Sequence, residues 1–173
     1  FEVADARIEA GGTVILRGVS LRVMRGERLA VAGENGCGKS TLLKFIAENV
    51  QGAEASYVSQ QCEDVVGTPA QYASEWGIDE PSFKSMLAKL GFRRTDWDKD
   101  MSLLSTGQRK KAALARSLLT KARLYLWDEP FNYLDIPARE MIEDAIIASS
   151  PTMAFVEHDA AFVSRAATRI FQI

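Results

Sequence analysis

The chain has few of the residues that form disulfides or bind transition metals. Its 173 residues include two cysteines, Cys37 and Cys62, and one histidine, His158. The cysteines do not have the spacing of a zinc site, and Cys37 lies in a glycine-rich segment, which favours reduced thiols over a disulfide. Reduced thiols are typical of a cytoplasmic protein, and we expect that location.

Long apolar runs and an excess of one charge are also missing. No stretch approaches the roughly 18 apolar residues that a membrane helix needs, so direct membrane insertion is not expected. The 21 lysines and arginines nearly balance the 23 aspartates and glutamates, which excludes the broad basic field of a nonspecific nucleic-acid binder. The length fits a single domain. A strand pattern that opens at Phe1 without an initiator methionine predicts a fragment of a longer protein.

A glycine-rich segment between a strand pattern and a helix pattern is the strongest motif that the chain contains. Residues 33–40 fit the sequence G-x-x-x-x-G-K-[ST], with an apolar strand pattern at residues 28–32 and an apolar helix pattern at residues 41–47. Glycines let backbone N–H groups approach an anion, and the helix N-terminus adds positive partial charge. We therefore expect a triphosphate here, with Lys39 on its β- and γ-phosphates and Ser40 on Mg²⁺. A glycine-rich turn that fits by chance is the alternative.

The order of strand and helix patterns along the rest of the chain predicts an α/β fold. Residues 1–23 contain two strand patterns joined by a glycine turn, which predicts an antiparallel β edge. Further strands are predicted at residues 55–60, 124–128 and 152–156, and helices at residues 106–120 and 135–149. This alternation indicates a mostly parallel core sheet with crossover helices, built from residues 1–60 and 106–173, and a small helical subdomain at about residues 61–105.

Two carboxylates follow the apolar strand pattern of residues 124–127. Asp128 and Glu129 would emerge at the carboxyl end of that strand, where open α/β sheets bind ligands. Because two carboxylates beside a triphosphate repel it unless a divalent cation intervenes, we expect Asp128 to hold Mg²⁺ and Glu129 to polarise the attacking water. A helix N-cap pair before Pro130 is the structural alternative.

Two further polar residues end strand patterns. Gln60 is predicted to reach the metal or to order the water, although a solvated loop glutamine fits the sequence as well. His158 follows residues 155–157, and a neutral imidazole can hydrogen-bond both the γ-phosphate and the water near Glu129. A surface histidine is the alternative for His158.

Residues 104–108 begin the cationic helix predicted at residues 106–120. They place a hydroxyl group, Ser105, and a glycine, Gly107, at the positive end of that helix, which favours a second anion site. One expected nucleotide and two phosphate-binding surfaces indicate that the second surface serves the nucleotide of a partner domain. An ordinary N-cap explains the same residues equally well.

Together these segments resemble the ATP-binding cassette (ABC) superfamily. Residues 33–41 look like its Walker A motif, Gln60 like its Q-loop, residues 104–108 like its signature loop, residues 124–129 like its Walker B motif with the catalytic glutamate, residues 132–135 like its D-loop and His158 like its switch histidine. The six motifs occur in the family's order and cover nearly the whole chain. The resemblance implies a P-loop NTPase fold of the ABC type, and hydrolysis of ATP with Mg²⁺ as cofactor.

Within the superfamily the chain is similar to ABC-F proteins, which are soluble tandem ATPases that act on ribosomes. Asn132 and residues 155–159 carry this similarity, and residues 105–111 and 127–135 resemble the second cassette of the antibiotic-resistance branch. The resemblance implies that the full-length protein has two partners: a second ABC domain, in tandem or in a homodimer, and the ribosome. A nucleotide-binding subunit of an ABC membrane transporter is the alternative function.

The resemblance also assigns the site residues. Catalysis is expected from Lys39, Gln60, Glu129 and His158, and metal binding from Ser40, Gln60 and Asp128. Nucleotide contacts are expected from Gly33, Glu34, Asn35, Gly36, Cys37, Gly38, Lys39, Ser40 and Thr41 on one face and, toward a partner's nucleotide, from Ser105, Gly107, Gln108 and Asp135.

Three positions depart from the family pattern. Thr106 stands where the signature loop usually has glycine, Ala10 stands near the position of the aromatic residue that stacks on adenine, and Glu157 replaces a small residue before the histidine. Loss of base stacking, worth about 1–3 kcal/mol, is expected to weaken affinity or relax base choice. A domain that binds nucleotide without useful turnover is therefore a further alternative.

Overall fold

Residues 1–50 and 55–173, which the computed structural model describes, fold into two sheets and six α-helices. The strands are β1 (Glu2–Ala10), β2 (Thr13–Arg22), β3 (Arg28–Ala32), β4 (Ala55–Val58), β5 (Leu124–Asp128), β6 (Met153–Val156) and β7 (Arg169–Gln172). The helices are α1 (Lys39–Asn49), α2 (Pro69–Glu75), α3 (Glu80–Lys89), α4 (Thr106–Leu119), α5 (Ile136–Ser149) and α6 (Ala160–Ala166). The predicted α/β class is confirmed.

The larger sheet is parallel throughout and has the order β4-β5-β6-β3-β7. Its register pairs Leu126 of β5 with Ala154 of β6, and Asp128 with Val156. Because all five strands run in one direction, their carboxyl ends meet at a single edge. The end of β5 and the segments that follow β3, β4, β5 and β6 are therefore neighbours, and together they contain every residue predicted to act on one nucleotide.

The two N-terminal strands form a sheet of their own. β1 and β2 pair antiparallel, with Ala10 opposite Thr13 across the glycine turn and with irregular register between Val3 and Glu9. The antiparallel arrangement was predicted correctly. It forms a separate layer beside α1, because Ile8 and Leu21 pack into the same apolar cluster as the buried face of that helix.

Side chains of the parallel sheet alternate between two apolar clusters. Leu126 packs with Leu42 of α1 in one cluster, whereas the adjacent Trp127 packs with Ala113 of α4 in the other. All four side chains are at most 1% exposed. Successive strand residues point to opposite faces, so a strand buried on both faces needs an uninterrupted apolar sequence. Each fully buried large aliphatic or aromatic side chain contributes about 1.5–3 kcal/mol to this packing.

The segment between β4 and α4 consists of α2, α3 and two short 3₁₀ turns. A capping box at Thr68 starts α2, and the side chain of Asp79 caps α3. The ring of Tyr72 packs 5.8 Å from that of Phe83, α3 lies against α4, and the Tyr72 hydroxyl accepts a hydrogen bond from Arg116 of α4. The division of the chain into a core and a helical subdomain at residues 61–105 remains a prediction. Within the described ranges, none of the helices has both the length and the apolar character needed to cross a membrane.

Some element boundaries differ from those the sequence predicts. β4 ends at Val58, two residues before Gln60, because Ser59 begins a turn in which its hydroxyl accepts a hydrogen bond from the N–H of Cys62. The prediction that Gln60 ends the strand was therefore wrong by two residues. The elements α6 and β7, after His158, were not predicted as such.

Candidate functional site

Residues 33–38 form a turn between β3 and α1. Gly38 is the N-cap residue of α1 and has a φ of 104°. A Cβ at this position would lie 2.7 Å from Ile15 Cγ2, so the close approach of the turn to β2 requires glycine. The first N–H groups of any helix lack intrahelical acceptors, and here they belong to Lys39 and its neighbours. The segment has the geometry of an anion-binding turn.

The side chain of Lys39 folds back over this turn. Its Nζ donates hydrogen bonds to the carbonyl oxygens of Gly33 at 2.9 Å and Glu34 at 2.8 Å. The residue is only 7% exposed, whereas residues 34–36 form an exposed rim. The ammonium group therefore adds a full positive charge at the N-terminus of α1, where an anion is already favoured.

Asp128, the last residue of β5, is 1% exposed and is hydrogen-bonded to Ser40. The pKa of Asp128 is raised above its ordinary value, chiefly by burial. The Ser40 hydrogen bond opposes this rise, and the adjacent Glu129 carboxylate adds to it. Within the described residues, Asp128 Oδ1 is buried without a hydrogen-bond partner. A buried carboxylate oxygen is costly unless a cation or a donor reaches it, and carboxylate and hydroxyl oxygens suit Mg²⁺. The residues present therefore fit the predicted metal ion.

The carboxylate of Glu129 is the meeting point of three other side chains. Gln60 Nε2 donates to Glu129 Oε2 at 2.7 Å, and Asn132 Nδ2 donates to the same oxygen at 2.5 Å. His158 Nε2 lies 3.4 Å from the other oxygen, Oε1. Glu129 itself has a φ of 47°, and its N–H donates to the carbonyl of Val156 at 2.9 Å. A non-glycine residue held in this backbone region costs about 1–3 kcal/mol and is typical of functional sites.

These contacts decide between two interpretations of the sequence. No helix begins at Pro130 in the described structure, and α5 begins later, with Asp135 as its N-cap residue. The N-cap alternative for Asp128 and Glu129 is therefore wrong. The structure brings Lys39, Ser40 and Asp128 together around the turn, and Gln60 and His158 together around Glu129.

The carboxylate of Glu157 ties two loops of the site together. Its Oε1 accepts hydrogen bonds from the N–H groups of His158 at 2.7 Å and Asp159 at 3.3 Å, and its Oε2 accepts from the N–H of Phe131 at 3.2 Å. A small residue could not make these three bonds. The departure noted at Glu157 thus has a physical role, which the sequence did not reveal because the acceptor's partners are backbone groups of another loop.

The residues predicted to face a partner's nucleotide form a second cluster at the start of α4. Ser105 and Gln108 make a reciprocal capping box, in which the Ser105 hydroxyl accepts from the Gln108 N–H and the Gln108 side chain accepts from the Ser105 N–H. A Cβ on Gly107 would lie 2.5 Å from the carbonyl oxygen of Tyr133. The N-cap interpretation of these residues is therefore realised in the structure, and their role toward a second nucleotide remains a prediction.

Asp135 belongs to this second cluster and connects it to α5. Its Oδ1 accepts from the N–H of Ala138 at 3.0 Å, and its Oδ2 accepts from Lys111 Nζ at 2.5 Å. The same lysine donates to the carbonyl oxygen of Leu90. The Lys111 hydrogen bond, followed by that of Ala138, holds the pKa of Asp135 below its ordinary value. These bonds connect Asp135 and Lys111 to α4, α5 and the end of α3. Among the described residues, none of these bonds reaches residues 33–38.

A cleft of about 1080 Å³ lies elsewhere in the molecule. Its lining includes Leu124 and Met153, which begin β5 and β6, together with Arg25 and Tyr125. Trp127 also lines the cleft, whereas Gln60, Glu129, Asn132 and His158 do not. The cleft is therefore separate from the residues that converge on Glu129.

A sequence profile of the family described as ABC transporter matches residues 16–132. The match covers more than half of the chain and includes the turn at residues 33–38, the start of α4, and both Asp128 and Glu129.

Curated relatives show similarity over most of the chain. ABC transporter F family member 5 of Arabidopsis thaliana is 32% identical over 178 residues, which cover 92% of the chain and 25% of the relative. The ribosome protection protein VmlR of Bacillus subtilis (strain 168) is 28% identical over 179 residues, which cover 95% of the chain and 32% of the relative. The chain thus spans about a quarter to a third of the length of these relatives.

Solved structures share the fold. A dimeric structure of the ATP-binding cassette MJ0796, in a post-hydrolysis state bound to ADP and Pi, matches with a TM-score of 0.82 at 19% identity, covering 99% of the chain and 93% of that protein. At this identity the likeness bears on the fold alone. It confirms the predicted P-loop NTPase architecture.

Proposed function

The chain belongs to the ABC transporter family, as an ATPase domain of that family, and from this membership we propose that it is one nucleotide-binding domain of an ABC-F protein that acts on the ribosome. The observation that carries the catalytic part is the convergence of Gln60, Asn132 and His158 on the carboxylate of Glu129. The ribosomal part is supported by the relatives, one of which is an F family member and another a ribosome protection protein.

The triphosphate would bind in the turn at residues 33–38. Lys39 would exchange its two carbonyl acceptors for oxygens of the β- and γ-phosphates, and N–H groups at the start of α1 would contact the same oxygens. Ser40 and Asp128 would hold Mg²⁺, which neutralises charge on the phosphates when bound. The described residues contain no cluster of three or more His, Cys, Asp or Glu side chains that could hold a metal, so phosphate and water oxygens would complete the coordination.

Glu129 would take a proton from the water that attacks the γ-phosphate. Its Oε2 already accepts two hydrogen bonds, from Gln60 and Asn132, and these fix the plane of the carboxylate. Its Oε1 faces His158 Nε2 at 3.4 Å. We therefore assign Oε1 as the proton acceptor, with His158 placed to hydrogen-bond the γ-phosphate from the same side.

A second ABC domain would complete the site. Ser105, Gly107, Gln108 and Asp135 lie in a cluster apart from residues 33–38, so their predicted contact with nucleotide requires a facing domain. The dimeric arrangement of the similarly folded cassette supports this proposal. Closure of the pair on ATP would then be the state that binds the ribosome, and hydrolysis would release it, with the full-length protein located in the cytoplasm.

A nucleotide-binding subunit of a membrane transporter is the rival proposal. It would use the same residues for hydrolysis and would differ only in the partner. The relatives at 28–32% identity favour the ABC-F proposal, since they are named for the F family and for ribosome protection. Protection against an antibiotic is a narrower proposal, supported by VmlR alone among the relatives described above.

Co-sedimentation with ribosomes tests the ribosomal proposal. The full-length protein carrying Glu129→Gln would be mixed with ribosomes together with ATP, with ADP or without nucleotide. We expect this variant to keep ATP bound without hydrolysing it, and therefore to pellet with ribosomes in ATP alone.

The matched control carries Lys39→Ala in addition to Glu129→Gln. It should remain in the supernatant with ATP, because its phosphate contacts are lost. If the Glu129→Gln protein binds ATP but does not pellet with ribosomes, the ribosomal proposal is wrong and a transporter or another partner gains support.

A further inference from the structure

Lys110 is a fully buried cation for which the sequence motifs predict no role. It lies in the second turn of α4 and is 0% exposed. Lysine is almost never fully buried unless its ammonium group is paired or hydrogen-bonded. Here Nζ donates to the carbonyl oxygen of Ser59 at 2.9 Å and to the carbonyl oxygen of Asp128 at 3.3 Å.

Each of these two carbonyl groups immediately precedes a residue of the candidate site. Ser59 is followed by Gln60, and Asp128 is followed by Glu129. Gln60 and Glu129 are themselves joined at 2.7 Å through their side chains. Lys110 therefore fixes the two backbone segments directly before the residues that carry the Gln60 amide and the Glu129 carboxylate.

The position of Lys110 also links this site to the helix that begins at Ser105. One end of α4 carries the capping box of Ser105 and Gln108, and Lys110 follows within the next turn. A helix is a stiff element, so a displacement at its start moves the Lys110 ammonium with it. Lys110 thus connects α4, which begins within the predicted signature loop, to the backbone that precedes Glu129.

A purely structural role would make Lys110 equivalent to the other buried cation of α4. Arg116 is also 0% exposed, donates to the carbonyl oxygen of Tyr57 at 2.7 Å, and stacks 4.0 Å above the ring of Trp76. Arg116 also donates to the hydroxyl of Tyr72 in α2 and pairs with Asp64, whereas the hydrogen bonds to the Glu129 carboxylate come from Gln60 and Asn132. Arg116 is thus a matched control for burial of charge in the same helix.

We propose that Lys110 is a positioning residue for ATP hydrolysis, which sets the placement of Gln60 and Glu129 through the carbonyl groups of Ser59 and Asp128. This inference rests on the proposed ATPase activity of the domain. Lys110 would act without touching the nucleotide. Misplacement of a catalytic group by about 1 Å costs on the order of 10²-fold in rate, so loss of Lys110 should lower kcat far more than it changes KM.

The test compares Lys110→Met, Lys110→Gln and Arg116→Met in the full-length protein. The measurements are kcat and KM for ATP, taken well below the thermal midpoint of each variant, and the midpoint itself. We expect K110M to lose about 10–100-fold in kcat with KM within about threefold of wild type. K110Q should fall between wild type and K110M, because its shorter amide can still donate to one carbonyl. R116M should lose thermal stability but keep kcat within about twofold of wild type.

Equal kcat values for K110M and R116M would overturn the inference, because burial alone would then explain the effect. If K110M does not fold, K110Q decides the question, and a wild-type kcat for K110Q would overturn the inference. If the wild-type protein hydrolyses ATP and K110M is equally active, the positioning role of Lys110 is refuted and the proposed function is not. An inactive wild-type protein refutes the proposed function and the inference together.

Discussion

The carboxylate of Glu157 accepts a hydrogen bond from the backbone N–H of Phe131 at 3.2 Å, across two loops that leave neighbouring strands. One loop carries Glu129 and Asn132, and the other carries His158. Because Glu157 also binds the N–H of His158, it fixes the histidine relative to the turn that holds the carboxylate.

Substitution Glu157→Ala should therefore affect both stability and turnover. Hydrogen bonds to a charged acceptor are worth about 1.5–3 kcal/mol, and we expect the free energy of unfolding to fall by an amount in this range. Turnover should fall as well, since His158 would no longer be held beside Glu129. Urea unfolding and steady-state ATP hydrolysis measure the two effects. Glu157→Gln is the control, because its amide oxygen can still accept one of the hydrogen bonds. An E157A protein as stable as wild type would contradict the role of Glu157 in joining the two loops.

Gly107 is expected to tolerate no side chain. A Cβ would lie 2.5 Å from the carbonyl oxygen of Tyr133, which is backbone and cannot rotate away. Gly107→Ala should therefore push the start of α4 away from the loop at residues 131–134 and destabilise the fold by about 1–3 kcal/mol. The neighbouring substitution Thr106→Ala adds no atom and should change stability by less than about 0.5 kcal/mol. Similar unfolding midpoints for G107A and T106A would show that the contact is not tight.

Lys39 is expected to contribute strongly to nucleotide affinity. Lys39→Ala would remove the charge-assisted bonds from the ammonium group to phosphate, and the loss of one such bond, worth about 1.5–3 kcal/mol, corresponds to about 10–150-fold in Kd. Fluorescent ATP titration measures this loss. Lys121→Ala is the matched control, because Lys121 is exposed and precedes β5, at the end of the strand away from Asp128. Equal affinities for K39A and K121A would place the nucleotide elsewhere.

Asp135 should contribute to stability in a pH-dependent manner. Its pKa is held below the ordinary value, chiefly by the Lys111 hydrogen bond. A carboxyl group with a lowered folded pKa stabilises the fold above its unfolded pKa of about 3.9 and loses this contribution as pH falls through the folded pKa. The Asp135 side chain is 56% exposed, so we expect no more than about 1 kcal/mol.

Substitution Asp135→Asn tests this contribution, since asparagine keeps the cap on Ala138 and removes the charge. The free energy of unfolding should differ between wild type and D135N at about pH 7, and the difference should be smaller at a pH below the unfolded pKa of about 3.9, where the charge of Asp135 begins to be lost. A difference that is the same at both pH values would mean that the Lys111 ion pair is not its source.

The parts of the site that are local in sequence were predictable, and the parts made by distant backbone groups were not. The turn at residues 33–38 has its strand, glycines and helix in one continuous segment, and Asp128 follows directly from its strand. Glu157 and Lys110 instead act on carbonyl and N–H groups that the fold brings from other elements.

One sequence signal could have revealed Lys110. It lies on the buried face of α4 with Ala113, Leu114 and Ser117, at spacings of three, four and seven residues. A lysine at such a position indicates a buried cation with a fixed partner. The position of Gln60 was harder to predict, because the turn at Ser59 depends on a side-chain hydrogen bond rather than on the strand pattern.

The role of Glu129 can be measured by ATP hydrolysis in the full-length protein that carries Glu129→Gln. Glutamine can still accept the hydrogen bonds of Gln60 and Asn132 but cannot take a proton from water. We predict that ATP binds within about threefold of the wild-type Kd while kcat falls by about 10²–10⁴-fold. Unchanged turnover in E129Q, with wild-type hydrolysis intact, would contradict the assignment of Glu129 as the group that activates the attacking water.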